Sequence, residues 1–216
     1  MLGCRKPNKQ RQFCLLEMRI IGGTSGGTTL KVPKGLGVRP TPDKVRLAIF
    51  NSLAASIENS RVLELFAGTG ALGLECISRG ASSCVFVELS NKHANIMKQN
   101  AKSIDISSSL TQFRVEDAFV AINKLNNNSE RFDYIFADPP YGEKNTEKRS
   151  ESFAQQILDD QNLPSLLNDN GSLILGHTKR DTLEFAKPWE LRKTLKHGDT
   201  LIEIIKLTQQ ESSTMT

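Results

Sequence analysis

The segment Glu64-Leu-Phe-Ala-Gly-Thr-Gly-Ala-Leu-Gly73 joins a short apolar run to a helical pattern. Val62–Phe66 has the composition of a buried strand, and Leu72–Arg79 has the periodicity of a helix. Between them, three glycines have the G-x-G-x-x-G spacing of a nucleotide-binding turn. Glycines let the backbone approach a ligand closely, and the start of the next helix offers unpaired N–H groups. The segment therefore predicts a cofactor-binding βα unit, with a purely structural glycine turn as the alternative.

Strand and helix patterns alternate along most of the remaining chain. The further strand candidates are Cys84–Leu89, Leu110–Val115, Tyr134–Ala137 and Leu173–Leu175. The helical candidates between them are Lys92–Lys102, Ala118–Leu125 and Ser152–Leu167. This alternation predicts an α/β fold with a Rossmann-like, doubly wound and mostly parallel sheet. Near the end, Trp189–Leu195 and Thr200–Leu207 flank His197-Gly-Asp199, which predicts a C-terminal antiparallel hairpin.

The region before this alternation has a different pattern. Arg19–Leu36 combines five glycines with β-forming residues, which predicts a small N-terminal β-hairpin lobe. A basic platform for a phosphate backbone is the functional alternative for the same lobe. Thr41 before Pro42 predicts the N-cap of a helix. We expect four regions: a disordered basic extension (1–17), the hairpin and helix (18–57), a cofactor-binding catalytic domain (58–207) and a tail (208–216).

Composition limits the class of protein. The chain has 216 residues, of which 38% are apolar and 24% charged, as in soluble globular proteins. Its apolar runs are shorter than the ~20 residues that span a bilayer, so we expect a cytoplasmic monomer without a membrane partner. The four cysteines form no Cys-x-x-Cys pair, so no metal is predicted, and Cys76 and Cys84 are expected in the core. The net charge of +4 suits a polyanionic partner.

A second motif, Asp138-Pro-Pro-Tyr141, follows the strand candidate Tyr134–Ala137. It lies where a parallel sheet binds its ligands, at the carboxyl ends of the strands. Each proline fixes φ and lacks an N–H, so the turn is rigid and its carbonyls remain available as acceptors. A carboxylate, acceptor carbonyls and an aromatic ring together suit a planar ring that carries an amine. A strand-terminating turn is the alternative.

Three acidic residues indicate the class of cofactor. Glu88 ends the second strand, where an acid holds ribose hydroxyls, and this also fits a nicotinamide dehydrogenase. Glu64 places a negative charge beside the ligand, which repels a pyrophosphate and attracts a sulfonium or ammonium group. Asp117 either meets an adenine amino group or caps the helix that begins at Ala118. Because Asp138-Pro-Pro-Tyr141 has no role in hydride transfer, S-adenosylmethionine fits best.

These motifs resemble those of S-adenosylmethionine-dependent amino methyltransferases. Further segments are similar to the bacterial methyltransferases that act on guanine N2 in small-subunit (16S) ribosomal RNA: Met18-Arg-Ile-Ile-Gly-Gly23, Val38-Arg-Pro-Thr-Pro-Asp-Lys-Val-Arg46, Phe50-Asn51 and Leu65-Phe-Ala-Gly-Thr-Gly-Ala-Leu-Gly-Leu-Glu75. The resemblance extends from about Arg19 to Lys206 and is looser beyond Tyr141.

The resemblance implies a role for each matching residue. Asp138 and a carbonyl of Pro139 or Pro140 would accept the amine protons, and Tyr141 would stack on the base. The implied cofactor contacts are Thr41, Glu64, Phe66, Ala67, Gly68, Thr69, Gly70, Glu88, Leu89, Asp117, Ala118 and Asp138. The candidate contacts to ribosomal RNA, free or in the assembled small subunit, are Arg19, Arg39, Arg46, Lys144, Lys148 and Arg149. For the last three, a solvated loop is the alternative, because Glu143 and Glu147 alternate with them.

Two alternative functions share part of these motifs. A DNA amino methyltransferase acting on adenine N6 or cytosine N4 would carry the same Asp138-Pro-Pro-Tyr141 motif. Guanine specificity therefore depends on the Arg19–Asn51 segment. A non-catalytic RNA-binding protein of the same fold is the other alternative, and the intact four-residue motif argues against it.

Overall fold

The computed structural model describes residues 18–33, 41–104, 106–140 and 150–208. The predicted extension at 1–17 and all but the first residue of the predicted tail lie outside these ranges. The strands are Met18–Arg19 (β1), Thr29–Leu30 (β2), Arg61–Leu65 (β3), Ser83–Val87 (β4), Thr111–Arg114 (β5), Phe132–Ala137 (β6), Leu167–Thr178 (β7), Trp189–His197 (β8) and Thr200–Leu207 (β9). The helices are Asp43–Leu53 (α1), Ala71–Ser78 (α2), Asn91–Ser103 (α3), Ala118–Asn127 (α4) and Phe153–Asp159 (α5).

Seven strands form a mixed sheet in the order β5-β4-β3-β6-β7-β9-β8. The neighbours from β5 to β7 pair in parallel, whereas β9 pairs antiparallel with both β7 and β8. This confirms the predicted doubly wound sheet with a C-terminal hairpin. The strand order reverses direction between β3 and β6, the position where open α/β sheets bind ligands.

The side chains of the central strands alternate between two hydrophobic clusters. Val62 and Phe86 belong to the cluster that α1, α2 and α3 cover. Leu63 and Ile135 belong to the opposite cluster, which α4 and α5 cover. Cys76 and Cys84 are buried in the first cluster, which confirms the expectation that they are core residues. None of the helices in the described ranges is long and apolar enough to cross a membrane.

The predicted N-terminal hairpin is confirmed as a two-stranded antiparallel sheet of β1 and β2. It is fixed to α2 by the fully buried Glu75. The carboxylate of Glu75 accepts hydrogen bonds from the backbone amides of Ile21 (2.7 Å) and Gly22 (2.9 Å). Hydrogen bonds to a charged group contribute about 1.5–3 kcal/mol each. A helix of the cofactor-binding unit thus positions the hairpin.

The region before β7 departs from the predicted boundaries. The predicted helix Ser152–Leu167 was wrong beyond Asp159, because α5 ends there. The side chain of Asp160 accepts hydrogen bonds from the amides of Asn162 (2.8 Å) and Leu163 (2.9 Å), which replaces the helical pattern with a turn. β7 is also longer than the predicted Leu173–Leu175. Its first half is polar and pairs irregularly with β6, so no strand pattern is visible there in the sequence.

Candidate active site

A cavity of about 590 Å³ lies at the carboxyl ends of the central parallel strands. This is within the range of small-molecule sites, roughly 300–1,000 Å³. Every predicted cofactor contact except Gly70 lines it, together with Pro139 and Pro140. A Cβ on Gly70 would lie 2.7 Å from the Cγ of Met97, so that residue packs against α3 rather than the cavity. The glycine turn and Asp138-Pro139-Pro140 therefore meet at one cavity.

The glycine turn after β3 is closed by hydrogen bonds from backbone amides of α2 to the side chain of Glu64. Glu64, buried at the end of β3, accepts hydrogen bonds from the amides of Leu72 (3.3 Å) and Gly73 (2.9 Å) in the first turn of α2. A Cβ on Gly73 would lie 2.5 Å from a ring carbon of Phe86 and 2.6 Å from the sulfur of Cys84. The third glycine thus allows α2 to pack directly on the sheet.

Burial changes the charge expected on Glu64. Desolvation raises the pKa of this carboxyl to about 8, against the opposing effect of its two backbone hydrogen bonds. In the protein alone, Glu64 therefore holds a proton at neutral pH. This shift disfavours the predicted negative charge in the protein alone, and a cation beside the carboxyl would favour the ionised form.

Glu88 connects the glycine turn to the start of α3. Its carboxylate accepts hydrogen bonds from the amides of Gly68 (2.8 Å) and Ser90 (2.7 Å). The imidazole Nδ1 of His93 lies 3.5 Å from the same carboxylate. A carboxylate has about four acceptor sites, so these contacts leave capacity toward the cavity that Glu88 lines.

Asp117 caps α4, one of the two roles left open by the sequence. Its Oδ1 accepts hydrogen bonds from the amides of Phe119 (2.9 Å) and Val120 (3.2 Å). Asp117 also lines the cavity, so the cap does not remove it from the site.

An apolar wall borders the cavity near α4 and α5. The rings of Phe66, Phe119 and Phe153 contact one another, with centroids 5.8–6.4 Å apart. Leu89 lines the same cavity and is 69% exposed, which is unusual for a large apolar side chain. Such a wall suits a flat aromatic ring. Phe153 carries no signal in the sequence, because only the tertiary structure brings it to Phe66.

Asp138 directly follows β6, and its carboxyl has one hydrogen bond within the described chain. Its Oδ2 accepts from the hydroxyl of Thr41 at 2.5 Å, whereas its buried Oδ1 has no partner among the described residues. Burial raises the pKa of Asp138, and the Thr41 hydrogen bond opposes that rise. Pro139 is buried beside it, and Pro140 is exposed.

The predicted N-cap role of Thr41 was wrong. α1 begins at Asp43, and the carbonyl of Pro42 accepts hydrogen bonds from the amides of Val45 (2.9 Å) and Arg46 (3.1 Å). The Thr41 hydroxyl instead donates to Asp138, since a carboxylate attracts a donor more strongly than a neutral partner does.

The family model described as conserved hypothetical protein 95 matches residues 18–206. The chain belongs to this family. Ribosomal RNA small subunit methyltransferase D of Haemophilus influenzae is 38% identical over 125 residues, which cover 58% of this chain and 64% of that protein. The resemblance found in the sequence is confirmed at the family level.

Two solved structures share the fold of this conserved hypothetical protein 95 family member. A hypothetical protein of Thermus thermophilus has a TM-score of 0.72 and 26% identity, covering 88% of this chain and 99% of that one. SMU.776, solved in complex with SAH, has a TM-score of 0.65 and 19% identity, covering 83% and 53%. The second similarity concerns the fold alone.

The structure changes the predicted RNA-contact set of this family member. Arg46 is fully buried, donates to Asp43 (2.7 Å) and lies 3.8 Å from Glu75, so its assignment as an RNA contact was wrong. Arg19 remains available, with 65% of its side chain exposed and Asp43 at 3.6 Å. The other predicted contacts lie outside the described residues: Arg39, Tyr141, Lys144, Lys148 and Arg149.

Proposed function

We propose that this chain transfers a methyl group from S-adenosylmethionine to the exocyclic N2 amine of a guanine in small-subunit ribosomal RNA. The observation that carries the proposal is the Asp138 carboxyl, whose Oδ1 has no partner among the described residues and which lies in the wall of the cavity that the glycine turn also lines. The name of the Haemophilus influenzae relative supports small-subunit ribosomal RNA as the substrate.

The residues of the cavity fit a donor with an adenine, a ribose and a cationic amino-acid end. Leu89 and Phe66 offer apolar surface for a flat ring, and Glu88 offers acceptor capacity for hydroxyl groups. Glu64 offers a carboxyl that a cation would ionise. When bound, S-adenosylmethionine would supply the methyl group, which the amine nitrogen would take as the sulfur–carbon bond breaks and its electron pair stays on sulfur. The methylated amine would then release one proton to solvent.

Asp138 acts on the acceptor amine in this proposal. The lone pair of an exocyclic amine is delocalised into the base ring, so the nitrogen is a weak nucleophile. Hydrogen bonds from the amine to Asp138 and to a carbonyl of Pro139 or Pro140 direct that lone pair away from the ring. Tyr141, outside the described residues, is proposed to stack on the base, which must leave its own stack to enter the cavity. The rate then comes from orientation and preplaced dipoles.

Transfer of a labelled methyl group tests the proposal directly. The chain is incubated with methyl-labelled S-adenosylmethionine and, separately, small ribosomal subunits, naked 16S RNA and duplex DNA. We expect label in RNA, at N2 of one guanine after nuclease digestion and mass spectrometry, and none with Asp138→Ala. Label in DNA alone would support the amino methyltransferase alternative. Thermal stabilisation by NAD but not by S-adenosylmethionine would contradict the assigned cofactor.

A further inference from the structure

A glycine on β7 makes room for the Asp138 carboxyl. Leu175 pairs with Ala137 in the parallel register of β6 and β7, so the next residue, Gly176, lies beside Asp138. A Cβ on Gly176 would lie 2.4 Å from Oδ1 and 3.1 Å from Cγ of Asp138. Contacts below 3.0 Å are not tolerated by real Cβ atoms, so any other residue would displace the carboxyl.

A hydroxyl fixes the other oxygen of the same carboxyl. Thr41, in the segment before α1, donates to Oδ2 of Asp138 across 97 residues of sequence. The hydroxyl binds Oδ2, and the space beside Gly176 accommodates Oδ1. Together these two features define the rotation of the carboxyl plane. Gly176 has no side chain, and the Thr41 hydroxyl is engaged with the Asp138 carboxyl.

We propose that Thr41 and Gly176 are positioning residues for methyl transfer, and that they hold the Asp138 carboxyl in the orientation and ionised form that accept the amine protons. This inference rests on the proposed function for its kinetic consequence. Its structural part, the contact between Thr41 and the Asp138 carboxyl, is measurable without any substrate.

The charge on Asp138 depends on the Thr41 hydroxyl. Loss of this donor removes a hydrogen bond to the ionised form, so the carboxyl should protonate at higher pH. The neighbouring charged groups are Glu64 on β3, which interacts electrostatically with Asp138, and Arg46 on α1, which acts on Glu64. Both are buried.

Thr41→Val removes the hydroxyl and keeps the branched shape, whereas Thr41→Ser keeps the hydroxyl. We expect Thr41→Val to lower kcat on the order of 10- to 100-fold, as for a misplaced catalytic group, with little change in KM for the donor. The acid limb of its kcat profile should move to higher pH. Thr41→Ser should recover most of the rate. Equal rates for Thr41→Val and the unmodified chain, or no recovery by Thr41→Ser, would overturn the proposal.

Gly176→Ala provides a second test, because the added Cβ would displace Oδ1 of Asp138. We expect a loss of kcat of the same order as for Thr41→Val. Gly26→Ala is the matched control, because its nearest neighbour is 3.3 Å away in the hairpin turn and its φ is not positive. If Gly176→Ala turned over as fast as Gly26→Ala, Gly176 would have no positioning role.

Carbon-13 NMR of the aspartate carboxyls separates this inference from the proposed function. Asp138→Asn identifies the resonance, and its titration is compared between the unmodified chain and Thr41→Val. We expect the midpoint to move to higher pH on loss of the hydroxyl, because that hydrogen bond favours the ionised form. An unchanged midpoint would overturn the role of Thr41 even in an active enzyme. A chain that shows the rise but methylates no nucleic acid would contradict the proposed function alone.

Discussion

The two turns that close the cavity satisfy their carboxyl groups in different ways. Glu64, near the end of β3, accepts hydrogen bonds from two backbone amides of α2, and Glu88, directly after β4, accepts two more from other backbone amides. After β6, Asp138 accepts one hydrogen bond, from the side chain of Thr41, and its Oδ1 has no partner among the described residues. The glycine turn is a preorganised holder for a ligand. The proline turn keeps Oδ1 of Asp138 available to accept a hydrogen bond from a bound ligand.

This difference has a physical basis in what each turn contacts. Backbone amides are fixed by the secondary structure around them, so the glycine turn needs no side-chain ordering when a donor binds. A buried carboxylate oxygen without a donor costs about 1–3 kcal/mol or more, and an incoming N–H offsets that cost. We therefore expect substitutions in the first turn to affect donor binding and substitutions in the second to affect the rate.

Asp138→Ala should separate the two turns most strongly. We expect methyl transfer to fall by about 10²–10³-fold or more, because a preorganised acceptor at the reacting amine is lost. Donor affinity, measured by titration calorimetry, should stay close to that of the unmodified chain. Near-normal turnover would remove Asp138 from the mechanism.

Glu88→Ala should give the opposite pattern. We expect donor binding to weaken by about 1.5–3 kcal/mol, the scale of a hydrogen bond to a charged group. The rate at saturating donor should change much less. Glu58→Ala, at an exposed glutamate, is the control, and calorimetry that found both variants unchanged would contradict the ribose assignment.

Glu64 predicts a pH dependence of donor binding. Burial raises the pKa of its carboxyl to about 8, so the protonated form is favoured below that pH in the protein alone. A cationic donor favours the ionised form. Binding should therefore release a proton and tighten as pH rises from 6.5 to 8, by at most about tenfold per pH unit. The amine of the donor titrates nearby, so Glu64→Gln serves as the reference. The same pH dependence in both proteins would show that Glu64 is not involved.

Arg19 predicts the smallest effect, at the RNA surface. We expect RNA affinity to fall with salt, and Arg19→Ala to reduce the slope of log K against log salt by about 1 if one phosphate contact is lost. Arg131→Ala is the control, because this exposed arginine precedes β6 and the cavity lies at the other end of that strand. A salt-independent affinity would count against backbone contacts.

The sequence predicted those features that depend on local pattern. Strand–helix alternation and the glycine turn were sufficient for the parallel sheet, and the helix cap was one of the two roles that the sequence left open for Asp117. Arg46 was misassigned because Glu75, which lies 29 residues further along the chain, is brought beside it only by the packing of α1 on α2.

Side-chain partners that come from distant segments could not be predicted from local pattern. Thr41 has the local pattern of an N-cap, and only the fold places its hydroxyl on Asp138. Gly176 gave no signal, because its role depends on the parallel pairing of β6 with β7. The break of the predicted helix after Asp159 came from the turn that the Asp160 side chain forms.

A crystal structure of the chain with S-adenosylhomocysteine tests most directly whether the two turns share one ligand cavity. We predict the adenine against Leu89, the ribose hydroxyls on Glu88 and the sulfur facing the Asp138 carboxyl. An adenosyl group bound away from the proline turn, or a sulfur directed away from Asp138, would contradict it.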